Sequence, residues 1–463
     1  MTAKVQLISP VDGRVYVERE MADAAQVEQA LTAAASAQAA WQRRSLSERA
    51  ALCSAAVDAM LSMQADIVPE LAWQMGRPVR YGAGELRGFA ERARHMIAIA
   101  PQALATVEPE PVAGFRRYIK REPLGTVLVV APWNYPYLTA VNTIIPALMA
   151  GNSVILKHAS QTLLVGERFA EAMRRAHLPD GLFHNLLLDH RQTAAIIDSG
   201  RVQQVNFTGS VDAGKAMESA ATGRFIGVGL ELGGKDPAYV RADANLEHAV
   251  ENLVDGSFFN SGQSCCAVER IYVDQKIFPA FVERFAELTR QYVLGNPLDE
   301  ATTLGPMVTP GAAFFVRGQI AEALAQGATA LIDPQAFPAD VAGSAYLAPQ
   351  VLVDVSHQMS VMRDESFGPV VGIMPVASDD EAIALMNDSE FGLSASIWTR
   401  DLAAAERLGN QIATGTLFMN RCDYLDPALA WTGVKNSGRG VTLSLLGYEH
   451  LTRAKSFHLR HEV

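Results

Sequence analysis

The strongest constraint on this chain is a series of short, wholly apolar runs separated by helical stretches. Residues 126–130 (TVLVV) and 154–156 (VIL) show no polar alternation, the pattern of strands buried on both faces. Residues 203–207 and 227–232 read as further strands, with helical stretches at 162–176 and 214–221 between them. Such alternation predicts βαβ units and a parallel sheet. The second half repeats the theme: a helix at 246–259, a strand at 270–273 and an amphipathic helix at 278–294. A strand at 350–355, a helix at 379–386, a strand at 396–399 and a helix at 402–411 follow. Ahead of this region, the first hundred residues read as helices. An Ala-rich segment at 23–40 feeds Trp41, and Ser45-Leu46-Ser47-Glu48 forms a capping box opening a helix to about Met63. Residues 118–122 resemble an edge or hairpin strand, and 454–459 are strand-like.

The length of 463 residues sets a soft prior of about three domains. No internal repeat or long linker separates them, so two α/β layers sharing an interface is the simplest reading. With 49% hydrophobic and 19% charged residues, wholesale disorder is excluded. A net charge of −11 argues against nucleic acid and anionic membrane as partners. The four cysteines, Cys53, Cys265, Cys266 and Cys422, are too few for a disulfide framework and lack CxxC spacing, so no metal is expected. A reducing, cytoplasmic setting is expected. The N-terminus shows no secretory signal, and the longest apolar stretch is broken by Asn142, Pro146 and Gly151, short of a membrane span.

Four constellations carry chemistry. In Asn260-Ser261-Gly262-Gln263-Ser264-Cys265-Cys266 a helix pattern ends in a small, polar turn that presents a cysteine. Backbone dipoles there favour a thiolate nucleophile; an inert buried cysteine is the competing reading. Leu230-Glu231-Leu232-Gly233-Gly234-Lys235 sets a carboxylate at the end of an apolar strand, fit for a base of raised pKa or for a merely solvated strand end. Pro132-Trp133-Asn134-Tyr135-Pro136 holds Asn134 in a rigid turn, where its amide can donate to an oxyanion. Phe207-Thr208-Gly209-Ser210 lies between a strand and a helix, where a phosphate can meet a helix N-terminus, although no GxGxxG fingerprint is present.

Taken together, in this order and spacing, these motifs resemble the aldehyde dehydrogenase superfamily over nearly the whole chain. The resemblance adds Glu365-Ser366-Phe367-Gly368-Pro369, the stretch 387–399 and Thr432 to Gly438, and includes the 34-residue step from Glu231 to Cys265. It implies an α/β aldehyde dehydrogenase fold: a Rossmann-like cofactor domain (1–104 and 124–236), an α/β catalytic domain (237–452) and a small β oligomerisation flap (105–123 and 453–463). It also implies a homodimer or homotetramer acting on a small-molecule aldehyde with NADP or NAD. By resemblance, Cys265 is the nucleophile, Glu231 the general base, and Asn134 with the Cys265 N–H the oxyanion hole. Trp133, Lys157, Ser160, Gly209, Ser210, Glu365 and Phe367 would meet the cofactor.

Several positions depart from the family pattern. The Glu that many NAD-preferring members carry three residues after the lysine is Ser160 here, which permits NADP, and His158 replaces a common Pro and reads as packing. The glutamate that many members use to relay protons from the base is Thr442. Pocket positions implied by the resemblance are Tyr135, Thr139, Asn142, Ser264, Cys266, Arg421 and Asp423. They predict a polar pocket and a small polar aldehyde such as succinic semialdehyde, with Arg421 pairing a distal carboxylate. The alternatives are an aminoaldehyde held by Asp423, or a broad-specificity enzyme. An acylating enzyme using coenzyme A is disfavoured by Glu231, and a catalytically silent member of the fold by Cys265, Glu231 and Asn134 together.

Overall fold

The computed structural model describes residues 3–462. The apolar run at 126–130 forms the strand Thr126–Ala131 at the centre of a six-stranded sheet. Its neighbours are Ser153–His158 and then Phe183–Asn185 on one side, and Gln204–Thr208 and then Gly227–Glu231 on the other, all parallel. Val127 and Val129 enter one apolar cluster and Leu128 and Val130 another, on the opposite face. Burial on both faces is what removes the polar alternation from the sequence. The chain runs outward from the central strand in one direction through Ser153–His158 and in the other through Gln204–Thr208, so the crevice beyond the strand C-termini lies at a topological switch point.

A second sheet has seven strands in the order Thr329–Ala330, Gln350–Val353, Val370–Val376, Val268–Asp274, Asp236–Val240, Ser394–Trp398, Thr416–Met419. Only Thr329–Ala330 is antiparallel. The short strand Gly438–Arg439 leaves this half of the chain and pairs antiparallel with Gly227–Glu231, which carries residues of the expected 237–452 segment onto the first sheet. The two segments expected to pair as a flap do so: Phe115–Pro123 and Thr452–Arg460 form a separate antiparallel ribbon.

The capping box at Ser45 and Glu48 closes in both directions and opens the helix Leu46–Leu61. The helical reading of the first hundred residues fails at its start, where Lys4–Ile8 and Val15–Glu20 form a hairpin. The signal was local: Pro10-Val11-Asp12-Gly13 separates two alternating runs, and Gly13 adopts a left-handed φ of 73°. Among the described residues no single helix is long and apolar enough to cross a membrane. The adjacent helices Leu46–Leu61 and Gln64–Met75 are apolar together, but they bend by 67° and place Val57, Met60, Ile67 and Leu71 in the core.

Candidate active site

Asn134 follows the central strand and precedes the helix Pro136–Ala150. Pro136 occupies the first turn of that helix, where its missing N–H costs nothing. The free N–H groups of Tyr137 and Leu138 donate to one Glu85 carboxylate oxygen at 3.0 and 3.1 Å. Glu85 is buried and ion-paired with buried Arg77. Arg77 also donates to the Asn134 carbonyl at 2.6 Å. A buried ion pair, with Arg77 just ahead of the helix Val79–Ala103 and Glu85 on it, therefore fixes the Asn134 turn, and no local sequence signal marks it. The Asn134 amide donates to the Gln263 carbonyl at 3.2 Å, beside Cys265.

Cys265 ends a turn that leaves the helix Leu246–Phe258. Asn260, Ser261 and Gly262 take left-handed φ values of 55°, 58° and 69° in succession. Backbone strain of this kind persists only where the surroundings over-determine it. Here Ser261 Oγ donates to the Gly305 carbonyl at 2.7 Å, and the Gln263 side chain bridges Asn260 and the Val308 N–H. The glycines after Glu231 serve the same packing. A Cβ on Gly234 would stand 2.3 Å from the Cys265 carbonyl oxygen, and one on Gly233 would stand 2.4 Å from the Glu365 carboxylate. The LELGGK motif thus lets the Glu231 strand pass close to the nucleophile turn.

Glu231 is the last residue of its strand. Thr442 Oγ1 donates to one carboxylate oxygen at 2.5 Å and Thr208 Oγ1 to the other at 3.1 Å. Burial pushes the Glu231 pKa up; the two hydroxyls and the charge of Arg92 act against that rise. Thr442, which the sequence offered only as a missing relay, is a direct partner of the candidate base.

Two cavities meet at these groups. The larger, about 680 Å³, runs along the strand C-termini. Trp133, Lys157, Gly209, Ser210, Glu365 and Phe367 line it. Trp133 and Phe367 pack edge to face with centroids 5.7 Å apart. Ser210 is the N-cap of the helix Val211–Ala221. Glu365 accepts from the Gly234 N–H at 2.9 Å, and burial, with Glu269 nearby, pushes its pKa up to about 7. Ser160 does not join this wall: it is exposed at the head of the turn Ser160–Thr162, and Ala159 lines the cavity instead. His158 is buried between the Pro136 carbonyl and Thr162, with its pKa pushed down to about 4 by burial, and so packs as a neutral ring.

The smaller cavity, about 420 Å³, is lined by Tyr135, Thr139, Asn142, Ser264, Cys266 and Asp423. Cys266 Sγ and Ser264 Oγ donate to the same Asp423 oxygen at 2.8 and 3.2 Å. Burial raises the Asp423 pKa to about 7. Arg421, expected here, lies outside: it is exposed and its guanidinium stacks on the Tyr424 ring at 3.3 Å. The side chains on either side of Cys422 diverge because Asn420 and Asp423 both take left-handed φ values, a kink that residue spacing does not reveal. Sequence reasoning missed the buried arginine that does line this cavity, Arg92. Glu231, Cys265, Thr139 and Thr208 belong to both cavities.

The aldehyde dehydrogenase family model matches residues 1–457. The chain belongs to the aldehyde dehydrogenase family. Betaine aldehyde dehydrogenase 1 of Rhizobium meliloti (strain 1021) is 33% identical over 457 residues, covering 98% of this chain and 93% of that one. An NADP-type succinate-semialdehyde dehydrogenase of Mycolicibacterium paratuberculosis is 35% identical over 411 residues, covering 88% and 86%. The NADP-dependent glyceraldehyde-3-phosphate dehydrogenase of Bacillus halodurans, solved with NADP, superposes with a TM-score of 0.93 at 30% identity, covering 99% and 96%. The enzyme class is accordingly that of an NAD(P)-dependent aldehyde oxidoreductase.

Proposed function

We propose that this aldehyde dehydrogenase oxidises a small polar aldehyde to its carboxylic acid through a covalent adduct on Cys265. The observation that carries the reading is that Cys265 and Glu231 lie on the wall shared by the two cavities. One cavity suits a dinucleotide. It has aromatic edges at Trp133 and Phe367, a cation at Lys157, a helix N-terminus at Ser210 and a carboxylate at Glu365 for ribose hydroxyls. A nicotinamide held there, with its ring beside Trp133 and Phe367, would supply the acceptor for the hydride that leaves the aldehyde carbon. In the second cavity Cys265 adds to the carbonyl, and the Asn134 amide steadies the oxyanion, a contribution of about 3 kcal/mol. Glu231 then takes a proton from the water that hydrolyses the Cys265 thioester.

The division of labour we read is cofactor binding by 1–104 and 124–236 and catalysis by 237–452. The ribbon of 105–123 and 453–463 would serve as the contact element of a cytoplasmic homodimer or homotetramer. The test is an assay of cofactor reduction with a panel of aldehydes, without coenzyme A. Formation of the free acid supports the reading, and dependence on coenzyme A overturns it.

Lys157 lines the larger cavity and burial lowers its pKa; of the carboxylates on that cavity's wall, Glu231 ends its strand, Glu365 sits beside Gly234, and Asp212 is exposed and paired with Lys215. NADP is therefore expected to serve at least as well as NAD. Lys157→Met should lower efficiency with NADP about ten-fold more than with NAD, measured as the ratio of kcat/KM values, because only NADP loses a phosphate partner. An unchanged ratio would remove Lys157 from phosphate recognition.

Thr442 offers a second check. Its hydroxyl stabilises the Glu231 carboxylate, so Thr442→Val lets burial raise the Glu231 pKa further. The base works deprotonated, so the acid limb of the kcat–pH profile should move to higher pH. A hydroxyl donated to a charge is worth about 1.5–3 kcal/mol, or about one to two pH units. Thr442→Ser should leave the limb in place.

A further inference from the structure

The smaller cavity has an imbalance of hydrogen-bonding groups. Arg92, on the helix Val79–Ala103, is only 9% exposed. Its Nη1 donates to the Leu138 carbonyl at 2.9 Å and to Asn142 Oδ1 at 3.4 Å. Among the described residues its Nε and Nη2 have no protein partner and it makes no ion pair. The other buried cations differ. Arg77 is paired with Glu85 and Lys235 with Glu269, and Arg270 is satisfied by backbone carbonyls from Lys235, Leu385, Met386 and Asp388. A guanidinium has only donors, so the Asn142 oxygen must face Arg92 and the amide nitrogen must point away. That nitrogen is buried and has no partner, and the buried Tyr135 hydroxyl lies against Ser264. All three residues line the cavity that Cys265 shares.

The acceptors are disposed differently. Asp423 already receives the Cys266 thiol and the Ser264 hydroxyl. Asp255 and Glu91 are exposed at the mouth, and Glu91 accepts from Tyr424. The buried wall therefore offers free donors and a positive charge, while its two acids, Glu231 and Asp423, each already accept two hydrogen bonds. A buried guanidinium with no counter-ion carries a desolvation cost that a ligand of the right chemistry removes.

We infer that Arg92 binds a carboxylate carried on the far end of the aldehyde substrate. This rests on the reading of the enzyme as an aldehyde dehydrogenase acting through Cys265, and it assigns specificity to a helix that takes no part in the chemistry. Arg92 lines the same cavity as Cys265, Cys266 and Glu231, so the anchored group and the nucleophile share one enclosure. A cationic aldehyde entering the same cavity would face the guanidinium, and the carboxyl groups of Glu231 and Asp423 on that wall are already taken by hydroxyl and thiol donors.

The experiment measures kcat/KM of the intact enzyme on succinic semialdehyde, butanal and betaine aldehyde. The wild type should favour the anion over butanal by about ten-fold or more, mostly in KM. Arg92→Gln should collapse that ratio toward one. Asn142→Asp gives Arg92 an internal carboxylate and should collapse it too; this variant guards against a folding defect, because it completes an ion pair. Arg421→Ala, exposed and outside the cavity, should keep the wild-type ratio. A wild-type preference for butanal or betaine aldehyde overturns the inference while leaving the enzyme reading intact. So does an anion preference that survives in both Arg92→Gln and Asn142→Asp. Failure to oxidise any of the three aldehydes, with cofactor still bound, overturns the enzyme reading itself.

Discussion

Cys265→Ser is expected to abolish aldehyde oxidation, by about three orders of magnitude or more, while cofactor binding persists. A serine hydroxyl, with an intrinsic pKa far above that of a thiol, lacks an accessible anionic form at this position. Cys266→Ser should be far milder. The Cys266 thiol is buried, donates to Asp423, and has its pKa pushed well up, in part by its neighbour Cys265. It is therefore held as a protonated donor, a task a serine hydroxyl also performs. Of the two, only Cys265 lines both cavities. Alkylation mapping under native conditions checks the assignment: modification should fall on Cys265 and track loss of activity. An essential, preferentially alkylated Cys266 would overturn it.

The parts of this site that were legible in the sequence are those whose physics is local. Strands buried on both faces must be apolar at every position, so TVLVV and VIL announced the first sheet. A capping box needs only residues three apart, so Ser45 and Glu48 could be read directly. The turns that carry Asn134, Ser210, Glu231 and Cys265 each have a composition set by their own backbone. What the sequence hid depends on the path of the chain. Arg77 and Glu85 support the Asn134 turn across more than fifty positions, and Thr442 reaches Glu231 across 211. Arg92 and Arg421 are equally plausible as a cation for the pocket until the fold buries one and stacks the other on Tyr424. The helix Pro136–Ala150 was obscured because Asn142 and Pro146 interrupt its apolar pattern. Asn142 lines the smaller cavity from within that helix.

Glu231→Gln separates the two halves of the reaction. Glutamine keeps the shape of the side chain and can still accept from Thr442 while turning its amide toward Thr208, so the local packing should survive. It cannot take a proton from water. Loss of a general base costs about 10²- to 10⁴-fold, and the loss should fall on hydrolysis of the thioester. A rapid-mixing experiment should therefore show a burst of reduced cofactor approaching one per active site, followed by very slow turnover. The pH dependence carries a further signature. Burial raises the Glu231 pKa, so in the wild type the proportion of carboxylate, and with it the steady-state rate, increases as pH climbs through that raised value. In Glu231→Gln this limb should vanish while the burst persists. Disappearance of the burst together with turnover would show that Glu231 acts before the thioester forms, as the group that deprotonates Cys265.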